Sequence, residues 1–154
     1  MKLYRIILVD DEEEVRKSII RKIKWEENGF LVAGDAENGE DALEKIELLE
    51  PDLILTDIRM PYMDGLTLAE RVRQKYPSMK IVIFSGYDDF EYAKQAIKLN
   101  VTEYILKPVN VEELTAILQK IKANLDQEIE QKRNVSLLRE NYIKSLPILR
   151  EQFL

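Results

Sequence analysis

Three aspartates, a serine and a lysine each follow a short apolar run of the sequence. Asp57 follows Leu-Ile-Leu-Thr, and Asp10 and Asp11 follow Ile-Ile-Leu-Val. Ser85 follows Ile-Val-Ile-Phe, and Lys107 follows Tyr-Ile-Leu. Such runs are typical of parallel strands that helices cover on both faces. Because sites of these sheets lie beyond the carboxyl ends of the strands, we expect all five side chains at one rim.

Carboxylates are the main reactive groups, because the chain has no histidine and no cysteine. This excludes serine–histidine triads, thiol catalysis and cysteine or histidine metal sites. Oxygen ligands suit Mg²⁺ or Mn²⁺. We predict Asp11 and Asp57 as direct ligands, Asp10 as a ligand through water, and the backbone carbonyl of Arg59 as a further oxygen. Alternatively, Asp10 and Asp11 are solvated loop acids that cap the first helix.

Lys107 and Ser85 are the remaining polar groups of this rim. Lys107 lies opposite the acids, where it can pair with Asp57 or with a phosphoryl oxygen attached to it. The hydroxyl of Ser85 can donate to the same oxygen. Alternatively, the lysine is merely solvated and the serine merely ends a strand. The Lys107-Pro108 bond is a candidate for the cis form, although trans is more frequent.

Hydrophobic patterning predicts five strands that alternate with five helices. The strands are expected at 4–9, 30–36, 53–57, 80–84 and 102–106. The helices are expected at 13–24, from 39 to before Pro51, at 66–75, from Asp88 or Asp89 to 99, and from a cap at Asn110 onward. With right-handed crossovers, this alternation predicts a doubly wound α/β domain.

The last helix is longer than one domain requires. It begins with an apolar stripe at Leu114, Leu118, Ile121 and Leu125. It is either a packing helix with a frayed tail or a connector that pairs with a second copy. Pro147 is expected to end it, and the apolar residues that follow suggest a chain cut short before another domain. We therefore predict a domain at 1–125 and a helical linker at 126–154.

Composition narrows the class of protein. The 154 residues are 45% hydrophobic with a net charge of −6. They are enough for one domain with a core, and the charge argues against nucleic-acid binding by this segment itself. No apolar run is long enough for a membrane span, and a strand follows the first residues directly, which leaves no room for a signal peptide. We expect a cytoplasmic protein.

Four sequence motifs together resemble the receiver domain of two-component response regulators, over about residues 3–125. They are Val9-Asp10-Asp11-Glu12; Thr56-Asp57-Ile58-Arg59-Met60-Pro61 with Asp64-Gly65; Phe84-Ser85-Gly86; and Tyr104-Ile105-Leu106-Lys107-Pro108. The resemblance implies a flavodoxin-like (βα)₅ fold with a five-stranded parallel sheet in the order 2-1-3-4-5, followed by an extended C-terminal helix.

The resemblance also assigns roles. Asp57 would accept a phosphoryl group from the phosphohistidine of a sensor histidine kinase, with Mg²⁺ held by Asp10 and Asp11. Ser85 and Lys107 would contact that group, and Pro108 would be cis. Tyr104 occupies the aromatic switch position and would rotate inward as Ser85 is drawn to the phosphoryl oxygens. Its alternative role is that of an ordinary half-buried strand tyrosine.

Partners and output follow from the same resemblance. The segments at 24–30 and 85–90 look like receivers attached to AraC-type helix-turn-helix output domains. DNA would be contacted only through such a domain, which this sequence does not contain. A homodimer would form through the C-terminal helix or through the face of the fourth helix, fifth strand and fifth helix. A stand-alone receiver or a pure interaction module is the alternative.

Two other classes fit the residues less well. A haloacid-dehalogenase-like phosphatase needs an acid two positions after the nucleophilic aspartate, where this chain has Arg59. A flavodoxin-like cofactor binder needs a Gly-rich or Ser/Thr-rich phosphate loop after the first strand, where the acids at 10–14 would repel phosphate. We therefore expect no enzyme, only a phosphoacceptor that can phosphorylate and dephosphorylate itself.

Overall fold

The computed structural model describes residues 2–86 and 90–153, and it confirms the alternation of strands and helices. The strands are β1 (Tyr4–Val9), β2 (Phe30–Ala36), β3 (Leu53–Asp57), β4 (Lys80–Ser85) and β5 (Glu103–Leu106). The helices are α1 (Glu13–Lys22), α2 (Gly39–Leu49), α3 (Gly65–Lys75), α4 (Phe90–Lys98) and α5 (Val111–Phe153), with a 3₁₀ turn at Glu26–Asn28. The predicted α4 cap at Asp88 or Asp89 lies outside the described residues.

The sheet is parallel, with the strand order β2-β1-β3-β4-β5, as predicted. The chain goes to one side of β1 for β2 and to the other side for β3, so the strand order reverses between β1 and β3. In register, Val9 lies beside Thr56, and Asp57 lies beside Phe84. The carboxyl ends of β1, β3 and β4 therefore meet at this switch point, where α/β sheets bind ligands.

Apolar side chains from both sides of the sheet fix these strands. Every residue of β3 is buried, because β1 and β4 pair with its two edges and helices cover its faces. Residues of four strands and three helices form one cluster, which includes Ile7, Ile54, Ile81, Ala42, Ile46, Leu68 and Val72. A side chain at the end of β3 therefore projects from a close-packed, rigid base.

Polar side chains begin three of the helices. Asn38 accepts a hydrogen bond from the Asp41 N–H at 2.8 Å, and Asp64 accepts one from the Thr67 N–H at 2.7 Å. Asn110 accepts one from the Glu113 N–H at 3.0 Å, which confirms the predicted cap of α5. The caps set where α2, α3 and α5 begin, and so fix the lengths of the loops before them.

The chain divides into two compact units, Met1–Gln119 and Lys120–Leu154. In the first, Leu114 and Leu118 of the predicted stripe are buried. The predicted division after residue 125 stays a prediction. The prediction that Pro147 ends the helix was wrong, since α5 continues to Phe153. A proline removes one helical hydrogen bond and can kink a helix without stopping the turns after it. No helix in the described residues is long and apolar enough to cross a membrane.

Candidate functional site

Asp57 lies at the end of the fully buried strand β3 and is itself only 5% exposed. Its Oδ1 accepts a hydrogen bond from the backbone N–H of Ile58 at 2.8 Å. The loop that follows is closed by a bond from the Gly65 N–H to the Ile58 carbonyl at 2.7 Å. A Cβ at Gly65 would lie 2.1 Å from the backbone oxygen of Asp57. The glycine therefore permits the start of α3 to pack directly on the end of β3.

The predicted acids converge. Asp10, Asp11 and Asp57 each place one carboxylate oxygen within 4.8 Å of the other two. Asp10 is fully buried and Asp11 is exposed. Oδ2 of Asp10 is buried and has no hydrogen-bond partner. A buried acceptor without a donor, next to two further carboxylates, fits a hard divalent cation such as Mg²⁺. The carbonyl of Arg59 as a further ligand stays a prediction.

Lys107 reaches the acids from the end of β5. Its Nζ lies 2.9 Å from Oδ2 of Asp57 and 3.5 Å from Oδ2 of Asp10. The ammonium also lies 5.2 Å from the centre of the Phe84 ring, within range of a cation–π contact. The Lys107-Pro108 peptide bond is cis, as predicted. The lysine is thus part of the acidic site, and the alternative of a merely solvated side chain is wrong.

Burial dominates the electrostatics of the site. It raises the pKa of Asp10 from 3.8 to about 6. The hydrogen bond from the Glu12 N–H opposes this rise, and the nearby charge of Asp57 adds to it. Burial also raises the pKa of Asp57, although the bond with Lys107 opposes the rise. Burial lowers the pKa of Lys107, but the hydrogen bond and charge of Asp57 outweigh it and the net pKa is raised. The lysine is therefore a cation at neutral pH, and it partly compensates the negative charge of the two acids beside it.

Ser85 and Tyr104, the two predicted switch residues, contact each other. Ser85 is fully buried at the end of β4, and the Tyr104 hydroxyl is hydrogen-bonded to the Ser85 hydroxyl. The register explains the contact, because Tyr104 lies beside Ile83 and Ser85 beside Leu106. The backbone N–H of Lys107 donates to the Ser85 carbonyl at 2.7 Å. Ser85 is thus joined to Tyr104 through its side chain and to Lys107 through its backbone.

One residue that contacts this site was not predicted from the sequence. Arg16, on α1, donates from Nη1 to the backbone carbonyl of Asp10 at 2.6 Å and from Nε to Asp35 at 2.9 Å. Its only signal in the sequence is a cationic residue one turn into the helix that follows an acidic pair. Four cationic residues lie on α1, so sequence alone does not tell which one turns inward.

Residues 6–119 match the family model described as Response regulator receiver domain. The transcriptional regulatory protein YesN of Bacillus subtilis is 39% identical over 145 residues, which are 93% of this chain and 39% of YesN. The curated relatives it matches are longer, and the chain spans 39–53% of their length.

Solved structures agree in fold. The REC domain of AraT, a response regulator from Geobacillus stearothermophilus, is 39% identical with a TM-score of 0.78, covering 82% of this chain and 98% of that one. A two-component transcriptional regulator AraC from Clostridium phytofermentans is 35% identical with a TM-score of 0.74, covering 81% and 98%. The residues that match the family model include β2 to β5, most of β1 and all of the acidic site, and the chain therefore belongs to the response regulator receiver family.

Proposed function

We propose that Asp57 accepts a phosphoryl group from the phosphohistidine of a sensor histidine kinase, and that the modified chain switches a transcriptional output. The observation that carries this proposal is the convergence of three carboxylates to within 4.8 Å, with Lys107 in contact with the one that ends β3. Such a site has a nucleophile, ligands for a cation and a fixed positive charge, which are the parts that phosphoryl transfer requires.

The two oxygens of Asp57 differ in how they are held. Oδ1 is held by the rigid backbone of Ile58, whereas Oδ2 is held by the side chain of Lys107, which can move with the transferred group. We therefore assign the attack to Oδ2. As its bond to phosphorus forms, the phosphorus–nitrogen bond of the donor breaks, and the electron pair stays on the departing imidazole. Lys107 then neutralises charge on the transferred oxygens.

Asp10, Asp11 and Asp57 would hold Mg²⁺ or Mn²⁺, with the Arg59 carbonyl as a further oxygen. When bound, the cation neutralises charge on the phosphoryl oxygens and on the carboxylates around them. The orphaned Oδ2 of Asp10 supports this assignment, because that oxygen needs a positive partner beyond Lys107 at 3.5 Å. The three acids would otherwise repel an incoming phosphate.

The product is an acyl phosphate that water can hydrolyse, so the signal would decay without a separate catalyst. The chain is thus its own substrate, and we do not propose turnover of external phosphate esters. Arg59 supports this view, because it occupies the place where a haloacid-dehalogenase-like phosphatase carries an acid. We place the reaction in the cytoplasm, where a kinase would form the phosphohistidine from ATP.

Signal output would begin at the Ser85 hydroxyl. A serine hydroxyl has one donor and two acceptor positions, so it can accept from Tyr104 while it donates to a phosphoryl oxygen. A shift of Ser85 toward the phosphoryl group would then pull Tyr104 with it. We propose that this motion alters the α4–β5–α5 face, where Ile97 is 74% and Leu106 is 45% exposed.

The kinase would approach along a groove beside the acidic site. The groove has a volume of about 680 Å³ and is lined by Val15 and Ile19 of α1 and by Pro108, Val109 and Val111 after β5. Lys107 lines it as well and is bound to Asp57, so the groove leads to the phosphoacceptor. An apolar groove suits an amphipathic helix of the donor. Val109→Asp should slow transfer from the kinase but not from acetyl phosphate; equal slowing would contradict this placement.

The relatives and α5 support a dimeric transcription regulator. YesN is named a transcriptional regulatory protein and is longer than this chain, so we propose a DNA-binding output domain of the AraC type.

In the second unit, Val135, Leu138 and Tyr142 are exposed at three-residue and four-residue spacing, which suits pairing with a second copy. Sedimentation of the parent and of Leu138→Asp tests this pairing, because a dimer held by this stripe should dissociate in the variant.

Acetyl phosphate labelling tests the central proposal. With Mg²⁺, intact-protein mass spectrometry should detect one added phosphoryl group on the parent and none on Asp57→Asn or in excess EDTA. Asp64→Asn is the matched control, because it makes the same change in the adjoining loop and asparagine caps α3 as well as aspartate. An unlabelled parent, or equal labelling of Asp57→Asn, would refute the assignment. Beryllofluoride should raise the melting temperature of the parent and of Asp64→Asn but not of Asp57→Asn, whereas a pure interaction module would not respond.

A further inference from the structure

Arg16 connects the edge of the sheet to the acidic site. Its side chain is only 12% exposed, although it projects from the solvent-facing helix α1. Nε donates to Oδ2 of Asp35 at 2.9 Å, and Nη1 donates to the backbone carbonyl of Asp10 at 2.6 Å. Asp35 lies on β2 beside Leu8 of β1. The planar guanidinium thus bridges two acceptors in a fixed geometry, which a lysine ammonium cannot reproduce.

Three polar groups of Asp10 form hydrogen bonds within the protein. Its N–H donates to the Ala36 carbonyl at 3.1 Å, its carbonyl accepts from Arg16, and its Oδ1 accepts from the Glu12 N–H at 2.8 Å. Only Oδ2 is left without a hydrogen-bond partner. The carbonyl belongs to the peptide group that joins Asp10 to Asp11. The hydrogen bond from Arg16 to this carbonyl fixes the direction in which the chain leaves β1, and with it the position of the exposed Asp11.

We propose that Arg16 is a positioning residue for the divalent cation. By holding the Asp10–Asp11 peptide group, it brings the carboxylates of both residues to the point that Asp57 reaches from β3. This inference rests on the proposed cation site, but it concerns a residue outside the ligand set. Partners behind metal ligands orient those ligands, and their loss commonly weakens metal binding by about 10-fold or more.

Charge and geometry predict opposite effects of removing Arg16. A cation near the site repels Mg²⁺, so a purely electrostatic role would make binding tighter when the charge is removed. Asp35 already compensates that charge at 2.9 Å, which reduces its repulsion of a metal ion. A positioning role makes binding weaker, and it does so even when the charge is kept. The direction of the change therefore separates the two roles.

Mg²⁺ titration by calorimetry tests the proposal with Arg16→Lys and Arg16→Gln. Both should raise the Kd for Mg²⁺ about 10-fold or more, and both should reduce the rise in melting temperature that Mg²⁺ produces. Arg21→Lys and Arg21→Gln are the matched controls, because Arg21 is exposed on the same helix, and they should bind Mg²⁺ like the parent. Asp35→Asn keeps an acceptor for Nε and should lose less affinity than either Arg16 variant.

Each outcome decides the inference. Mg²⁺ binding by Arg16→Lys that equals the parent, or tighter binding by Arg16→Gln, would overturn it. Urea unfolding in EDTA shows whether the variants are folded; if Arg16→Gln is not, Arg16→Lys alone decides. A parent that fails to bind Mg²⁺ overturns the proposed cation site together with this inference. A parent that binds Mg²⁺ beside Arg16 variants that bind it equally well overturns the inference alone.

Discussion

Replacing Asp10 by asparagine should stabilise the protein when no metal ion is present. The carboxylate is fully buried, and its pKa is raised from 3.8 to about 6 by burial, with a contribution from Asp57. The difference is about 2 pH units, which at 1.36 kcal/mol per unit is about 3 kcal/mol. Asparagine keeps the acceptor for the Glu12 N–H and removes the charge. This figure already includes the attraction to Lys107, which opposes the rise in the pKa of Asp10.

The sign of the pH dependence follows from proton binding. The folded state binds the Asp10 proton more tightly than the unfolded state does, so this group favours folding below the unfolded pKa of 3.8. That contribution is lost as pH rises from 3.8 through about 6. The difference between Asp10→Asn and the parent should therefore be small near the lower value and reach its full size at neutral pH.

Urea unfolding in EDTA at several pH values measures this difference, with the fluorescence of Trp25, the only tryptophan, as the signal. A gain of about 3 kcal/mol corresponds to roughly 10 °C in melting temperature for a chain of this size. Saturating Mg²⁺ should stabilise the parent and reduce the gap. Asp64→Asn, outside the acidic cluster, should show no such pH-dependent gain. The reasoning is refuted if Asp10→Asn is no more stable than the parent at neutral pH in EDTA.

Three further substitutions test the framework around the site by urea unfolding. Gly65→Ala should destabilise by about 2 kcal/mol, because its Cβ would lie 2.1 Å from the Asp57 oxygen; an unchanged midpoint would contradict that contact. Tyr62→Gly should stabilise by about 1 kcal/mol, because Tyr62 has a φ of 70° and is 92% exposed; a loss of stability would exclude strain there. Arg73→Met should destabilise by about 2 kcal/mol with or without Mg²⁺, and a destabilisation that differs between Mg²⁺ and EDTA would contradict a structural role.

The residues that lie at this rim of the sheet could be predicted from the sequence, because two simple rules determine which they are. Branched apolar runs mark buried strands, and parallel strands present their carboxyl ends at one edge. Asp57, Lys107 and the pair Asp10 and Asp11 therefore had to lie near one another once the strand order was known. No long-range detail of side-chain packing enters that argument.

Contacts that depend on rotation or register could not be predicted in the same way. Arg16 faces inward because of how α1 is rotated against β2, and Arg21 on the same helix is exposed. The bond between Ser85 and Tyr104 depends on the register of β4 with β5, which the sequence pattern leaves open. The prediction that Pro147 ends α5 failed for another reason. A proline removes one hydrogen bond of the helix, but that loss does not have to end the helix.

Burial of an unsatisfied polar atom does not by itself mark a functional site. In the described part of the chain, Nε of Arg73 and Oδ2 of Asp10 are both buried without a hydrogen-bond partner. The other nitrogens of Arg73 donate to three backbone carbonyls, so its side chain joins loops together. The free atom of Arg73 is a donor that cannot bind a cation, whereas that of Asp10 is an acceptor beside two further carboxylates. Removing Asp10 should therefore stabilise the metal-free protein, and removing Arg73 should destabilise it.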